Sequence, residues 1–529
     1  MKKRGKFITA IVTVTVLFVL NLAGCGYADY LSKSEISTKA DNTVMKEKIK
    51  NNEPETLPAA AGGEIVLGSA TELNNFDPFT SVTADVRSVN FNIFEGLVRV
   101  EPDGSFSPAI ASDYEISDDN KTYVFTLRKG VKFHNGKEVT ADDVLYSVQK
   151  AIDRSATGYD QIDGYEINDD GKLVIHLSKE NPNFLPFLTQ AIVPKDYTDH
   201  SLHPVGTGPY KLTEYAEQDH ITLEKNEDYW GKGGYLDKIT VKFAASQADL
   251  LILFEAGTID GFNATAATVN QISNEEANIF VTHSNAVQLL ALNNNYKPLQ
   301  DKRVRQAINY AVSADEIIDM AFYGYGTKIG SGLIPGLEKY YDDSLADAYG
   351  LDYKKAKELL NEAGYKDGFS LTITVPSVYQ AHIDTAEVIV NELAQIGIQA
   401  DIKQVDWATW LEKVYKGREY EATVISLDGS LAYPTAFLSR YQSDAPNNFI
   451  NFKSEAYDKV YSQAIATGSE EERIRLFKEA QKILSEEAAS VFIQDIAGFM
   501  VYNKNYAGYT NYPLYATDYS SIYRVAKEN

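Results

Sequence analysis

Side chains able to make or break covalent bonds are sparse in this 529-residue sequence: one cysteine, Cys25, and seven scattered histidines. No G-x-S-x-G, H-E-x-x-H or G-x-x-x-x-G-K-[ST] spacing occurs, so the serine elbow, paired zinc-binding imidazoles and phosphate cradle that those spacings build are missing. A single thiol allows neither an intramolecular disulfide nor a multi-cysteine metal site. His134 sits beside a turn in K-F-H-N-G, where a lone histidine reads as structural. No catalyst, metal or cofactor is expected. D-W-A-T-W offers the indoles Trp407 and Trp410; Trp410 reads as core, and Trp407 as either core or a stacking surface for a ligand. Asp428 and Ser430, two residues apart, share one face of an extended strand.

The position of Cys25 carries information of its own. Lys2, Lys3, Arg4 and Lys6 precede a mostly apolar, uncharged run, 7–24, that ends Leu22-Ala23-Gly24-Cys25. A basic start, an apolar stretch and small residues at its end make an export signal. The final tetrad resembles the lipobox of bacterial lipoproteins, which implies a signal peptide over 1–24 and acylation of Cys25. The alternative is an uncleaved anchor, because about 18 apolar residues approach membrane-spanning length. Residues 25–63 are polar, rich in lysine and glutamate, and leave through A-A-A-G-G; they read as a flexible tether.

The elements that must position the candidate residues follow from hydrophobic period and punctuation. With an apolar share of 44% and this length, the chain can build two or three cores. The formal charge is −24, with no basic run after residue 6; this excludes a nucleic-acid binder and suits a well-solvated surface. Strands are expected over 64–70, 210–215, 220–225 and 238–243, and Tyr123, Phe125 and Leu127 alternate with polar residues as in a half-buried strand. Thr140 with Asp143 opens a helix over 142–152 as a capping box. Val304, Ala307, Ile308 and Ala311 share a helical core face, with Arg303 and Arg305 on its solvated or ion-paired side. Helices over 353–363 and 385–396 end at Gly364 and Gly397, strands follow over 370–375 and 398–404, and Ser469 with Glu472 caps a further helix. Helix alternating with strand argues for an α/β fold. Seven tyrosines, from Tyr502 to Tyr523, lie in the tail; they are expected to pack it onto the first lobe with their hydroxyls wet, a sugar-stacking platform being the alternative.

The order H-P-V-G-T-G-P-Y-K-L, K-N-E-D-Y-W-G, Y-L-D-K-I-T-V-K-F, F-E-A-G-T-I-D-G between His203 and Gly261 resembles the substrate-binding proteins of bacterial ABC importers. Within them it is similar to solute-binding family 5, which includes dipeptide and oligopeptide receptors. The run from A-S-D-Y-E-I to T-A-D-D-V matches that family almost without gaps. The resemblance implies a two-lobed periplasmic-binding-protein-like fold of type II with an extra subdomain. Lobe one would hold 64–96, 203–285 and 503–529, the subdomain 97–202, and lobe two 286–502. It further implies a monomer on the extracytoplasmic face of the membrane, lipid-anchored at Cys25, that encloses a peptide by hinge closure and passes it to ABC permease subunits; an oligosaccharide or other solute is the alternative ligand. Family contacts carry over to the loop Val82, Thr83, Ala84, which would hold a peptide by main-chain hydrogen bonds, and to Trp407 in the cleft. V-I-S-L-D-G-S-L-A-Y-P departs from the family's G-W-x-x-D-Y-x-D-P pattern. Leu427 replaces the tryptophan, Tyr433 the acid before Pro434, and Ser430 the aspartate that grips the ligand's ammonium. Asp428 is then expected to take over that grip.

Overall fold

The computed structural model describes residues 57–526 except 82, 274–276 and 430. Cys25, Val82 and Ser430, together with the expected signal peptide and most of the tether, lie outside the described residues. Among those described, no helix is long and apolar enough to cross a membrane.

One large mixed sheet organises the molecule. Its strand order is Ile398–Val405, Phe369–Pro376, Ala422–Asp428, Ala286–Leu292, Val491–Asn503, Gly261–Ala264, Glu64–Ser69, Lys238–Phe243, His220–Lys225 and Tyr210–Ala216. The long strand Val491–Asn503 belongs to both halves. Its first residues pair with Ala286–Leu292, whereas Ala497–Asn503 pair with Ala277–His283 and Phe499–Tyr502 with Gly261–Ala264. The chain therefore passes between halves inside a continuous strand, at about Gln494–Ala497, rather than at its end near residue 502.

Each half has its own core, as a sheet with helices on its faces requires. One half buries Ile65, Ile221, Ile239 and Tyr502; the other buries Leu290, Ile308, Ile373 and Ile389 beneath its helices. A separate four-stranded sheet, ordered Ala111–Ile116, Thr122–Leu127, Leu173–Leu177, Ile162–Ile167, packs around Tyr123, Phe125 and Phe184.

Local signals in the sequence account for most of these elements. Thr140 and Asp143 make the reciprocal capping box of the helix Ala141–Asp153. Gly364 and Gly397 adopt positive φ just after their helices, and Ser469 accepts from the Glu472 amide. Three expectations need correction. The helix expected from 385 begins at Gln380, because the buried polar residue His382 interrupts the apolar period. Arg305 is neither solvated nor ion-paired: it is buried and donates to the carbonyls of Leu299, Gln300, Glu487 and Ala488. The tail tyrosines do pack onto the first half, but several hydroxyls bond within the protein. Tyr506 donates to the Glu64 carbonyl, Tyr512 to Asp518 and Tyr515 to Asp85.

Candidate functional site

A cleft opens between the two halves. Its larger cavity, of about 570 Å³, is bounded by the helix Ala84–Ile93, the Tyr229-Trp230 corner and the tail on one wall, and by Asp428, Gly429, Leu431 and Ala432 on the other. That volume lies in the ordinary range for small-molecule sites.

The first wall rests on the G-T-G-P turn. Gly208 N donates to the Ile93 carbonyl at 2.9 Å, and a Cβ on Gly206 or Gly208 would collide with the backbone at Ile93 or Asn92; close approach, more than turn geometry, demands glycine there. The turn brings Thr207 under Glu95. The Glu95 carboxyl is 8% exposed and accepts from Thr207 Oγ1 (2.9 Å), Tyr229 OH (2.8 Å) and Trp230 Nε1 (2.8 Å). Burial pushes its pKa up, against the lowering effect of these donors. The Arg128 guanidinium lies 4.0 Å over the Trp230 ring, so the indole is clamped between a cation and a carboxyl. His134 closes the turn from below: Gly206 N donates to Nδ1, and Nε2 lies 3.0 Å from the Gly208 carbonyl. Burial pushes this imidazole down to about 4, which fits a neutral ring donating from Nε2.

The second wall is the end of the strand Ala422–Asp428. Asp428 is the last residue of that strand and its side chain is 54% exposed. It faces Arg87 across the cleft, with Arg87 Nη2 3.3 Å from Oδ2. Gly429 follows because a Cβ there would strike the Phe437 ring.

The remaining expected site residues are distributed as follows. Thr83 is the exposed N-cap of the helix Ala84–Ile93 and makes no side-chain capping bond. Thr83 and Ala84 precede Asp85, which lines a second cavity. Trp407 is 40% exposed; it stacks on buried Trp410 at 5.1 Å and meets Tyr379 edge-on at 5.6 Å. Tyr433 is 5% exposed and gives its hydroxyl to Asn183 Oδ1 of the four-stranded subdomain. It therefore joins that subdomain to the half bearing Asp428 and is not among the residues lining either cavity. Among the described residues no cluster of histidine, cysteine and acidic side chains is arranged to hold a metal.

Arg87, Glu95, Trp230 and Tyr515 escaped the sequence reading. Glu95 had a usable signal: a carboxylate inside the apolar run N-I-F-E-G-L-V must be paired if that run is buried. Arg87 and Tyr515 carry no such local mark.

The model of the bacterial extracellular solute-binding proteins, family 5, matches residues 105–449. Heme-binding protein A of Haemophilus influenzae is 29% identical over 463 residues, covering 79% of this chain and 84% of that protein. The dipeptide-binding protein of Escherichia coli is 28% identical over 452 residues, 77% of this chain and 84% of its own. Among solved structures, an ABC transporter-associated periplasmic binding protein from Helicobacter pylori in complex with the peptide STSA superposes with a TM-score of 0.73. It is 28% identical and covers 88% of this chain and 99% of its own. A periplasmic binding protein from A. tumefaciens R10 holding agropinic acid gives a TM-score of 0.72 at 27% identity, with 88% and 99% coverage. With two sheet halves closing on a solute-sized cleft and a family match over well more than half its length, this chain belongs to the family 5 extracellular solute-binding proteins and has their two-lobed type II fold.

Proposed function

We propose that this protein captures a peptide between its lobes and delivers it to the permease of an ABC transporter from a lipid-anchored position outside the membrane. The observation that carries the reading is Asp428, a half-exposed carboxylate on the cleft wall opposite the helix Ala84–Ile93. It stands where an incoming ammonium could exchange with the Arg87 guanidinium. A buried ammonium needs such a partner, since an uncompensated charge costs several kcal/mol. Thr83 and Ala84 serve as main-chain contacts and Trp407 as a stacking face, with Val82 and Ser430 added on the family resemblance alone. Lobe one comprises 64–96, 203–285 and 503–529, the subdomain 97–202 and lobe two 286–502. The pairing of 497–502 with lobe-one strands favours moving the second crossing to about 494–497.

The test is calorimetry of peptide binding to the wild type and to Asp428→Ala, for which affinity falls by about 2–5 kcal/mol, the cost of leaving the ligand's charge unpaired. Unchanged affinity would remove Asp428 as the ammonium anchor. A second reading, a non-peptide solute such as a sugar or a sugar-acid conjugate, is favoured by Ser430 in place of the aspartate and by the relative that holds agropinic acid. A mass spectrum of the ligand co-purified with the protein separates the two. Intact mass of the protein extracted from membranes tests acylation at Cys25 and cleavage before it.

A further inference from the structure

The cleft contains a second cavity, of about 470 Å³, whose chemistry is the reverse of the first. The first cavity is lined by the cations Arg87, Arg99 and Lys232 and by four acids, Asp428 and Glu95 among them. Along the described lining of the second, the one carboxylate is Asp85, and no lysine or arginine joins it. Both Asp85 oxygens already accept, from Tyr515 OH at 2.8 Å and from Thr71 Oγ1 at 2.9 Å. The apolar walls are supplied by Leu67, Val89, Leu250, Phe262 and Met500, with uncharged Ser69, Ser88 and Thr517 between them and Tyr379 closing over them from the opposite lobe. Tyr515 lines both cavities, so the two are neighbouring rooms with one shared partition.

A space that holds one carboxylate, its oxygens taken by two hydroxyls, and no cation offers a ligand's anionic group no compensation for lost water, whereas it rewards apolar surface in proportion to the area buried. Gln247 supplies an open acceptor. Its Nε2 donates to the Asn263 carbonyl, while Oε1 is buried and has no protein partner; it could accept from a single N–H.

We propose that the second cavity is a side-chain subsite of the same cleft, which selects peptides carrying one bulky uncharged side chain beside the charged end held at Arg87 and Asp428. This rests on the peptide reading above and adds to it a substrate class. Because Tyr515 lines both cavities, the occupant we assign is a side chain of the ligand in the first cavity rather than a separate molecule.

The test is calorimetry with trialanine, the three tripeptides bearing one Phe in place of Ala, and the three bearing one Glu. At one position Phe tightens binding about tenfold or more over trialanine, the free energy of burying an aromatic side chain, and Glu at that position weakens it. Asn263→Trp places an indole at the second cavity from an exposed position of the strand Gly261–Ala264, away from the first. It abolishes the Phe advantage and leaves trialanine affinity intact. Ala70→Trp narrows the same space from just beyond the strand Glu64–Ser69 and gives the same readout should Asn263→Trp not fold. Phe peptides binding within about twofold of trialanine, or a Phe advantage that survives the narrowing, overturns the inference and leaves the peptide reading standing. No heat with any of the seven peptides overturns both.

Discussion

Glu95 and Asp428 line the same cleft from opposite walls and are held in opposite ways. Glu95 is buried and receives three donors, from Thr207, Tyr229 and Trp230, contributed by segments more than a hundred residues away in sequence. Asp428 is half exposed, and its described side-chain partner, Arg87, belongs to the other wall. The first arrangement is a finished network whose donors have nothing left to give a ligand; it sets the shape of the floor. The second is provisional: an exposed ion pair is worth only about 0–1 kcal/mol, so a ligand charge can displace either member cheaply. A receptor that must both recognise and release needs this division, with rigidity invested where nothing is exchanged and weak pairing where something is.

The contrast is sharpest if the two carboxylates are removed in turn. Glu95→Ala strands three buried donors and lowers unfolding free energy by about 3–5 kcal/mol. Asp428→Ala changes it by no more than about 0.5 kcal/mol, as for an ordinary surface position. Urea denaturation of both variants measures this, and equal losses would erase the distinction between floor and grip.

The next effect is the share of acid sensitivity that the floor contributes. His134 titrates at about 4 in the folded protein against about 6.5 unfolded. Its folded value is depressed, so the unfolded chain binds the proton first. Its contribution is complete above pH 6.5 and is lost as pH falls towards 4, with a slope of up to about 1.4 kcal/mol per unit. Glu95, shifted the other way, tilts the total in the opposite sense, so the observable is a difference. Between pH 6.5 and 4.5 the wild type loses more stability than His134→Gln, and parallel curves would deny the histidine this role.

The smallest effect lies at the join between subdomain and lobe two. Tyr433→Phe removes the hydroxyl bonded to Asn183 and costs about 1 kcal/mol. If that bond belongs to the closed arrangement, X-ray scattering without ligand shows a larger radius of gyration for the variant. Identical scattering curves would reduce Tyr433 to a core residue.

What was legible in the sequence was local. The strands His220–Lys225 and Lys238–Phe243 were delimited to the residue, because alternation and flanking turns bound them on both sides. The capping box at Thr140 and the glycines after two helices were legible for the same reason. Site chemistry that depends on distant backbone was hidden. Arg305 is satisfied by carbonyls some 180 positions away, and nothing beside it in the sequence distinguishes it from a surface arginine. Arg87 meets Asp428 across 341 positions, a pairing that only the folded sheet creates. The family pattern pointed to the end of the strand Ala422–Asp428 through the residues that depart from it, Leu427, Ser430 and Tyr433. Tyr433 then proved to face the subdomain, and the cleft-lining Tyr515 came from a tail read first as packing, with ligand stacking as the alternative.

The strand common to both lobes has a further consequence. Ser284 N donates to the Ile496 carbonyl at 2.9 Å, so the two connections run side by side as a bonded ribbon where the lobes meet. Because neighbouring residues of a strand point to opposite faces, adding or deleting one residue between Gln494 and Ala497 would turn over every side chain downstream of it. Phe499 and Val501, buried on one face, would trade places with Met500 and Tyr502, buried on the other, and both cores of the first lobe would be mispacked. The joint can change its twist but not its length, and gene-level tinkering with spacing, tolerated in most linkers, is closed to this one.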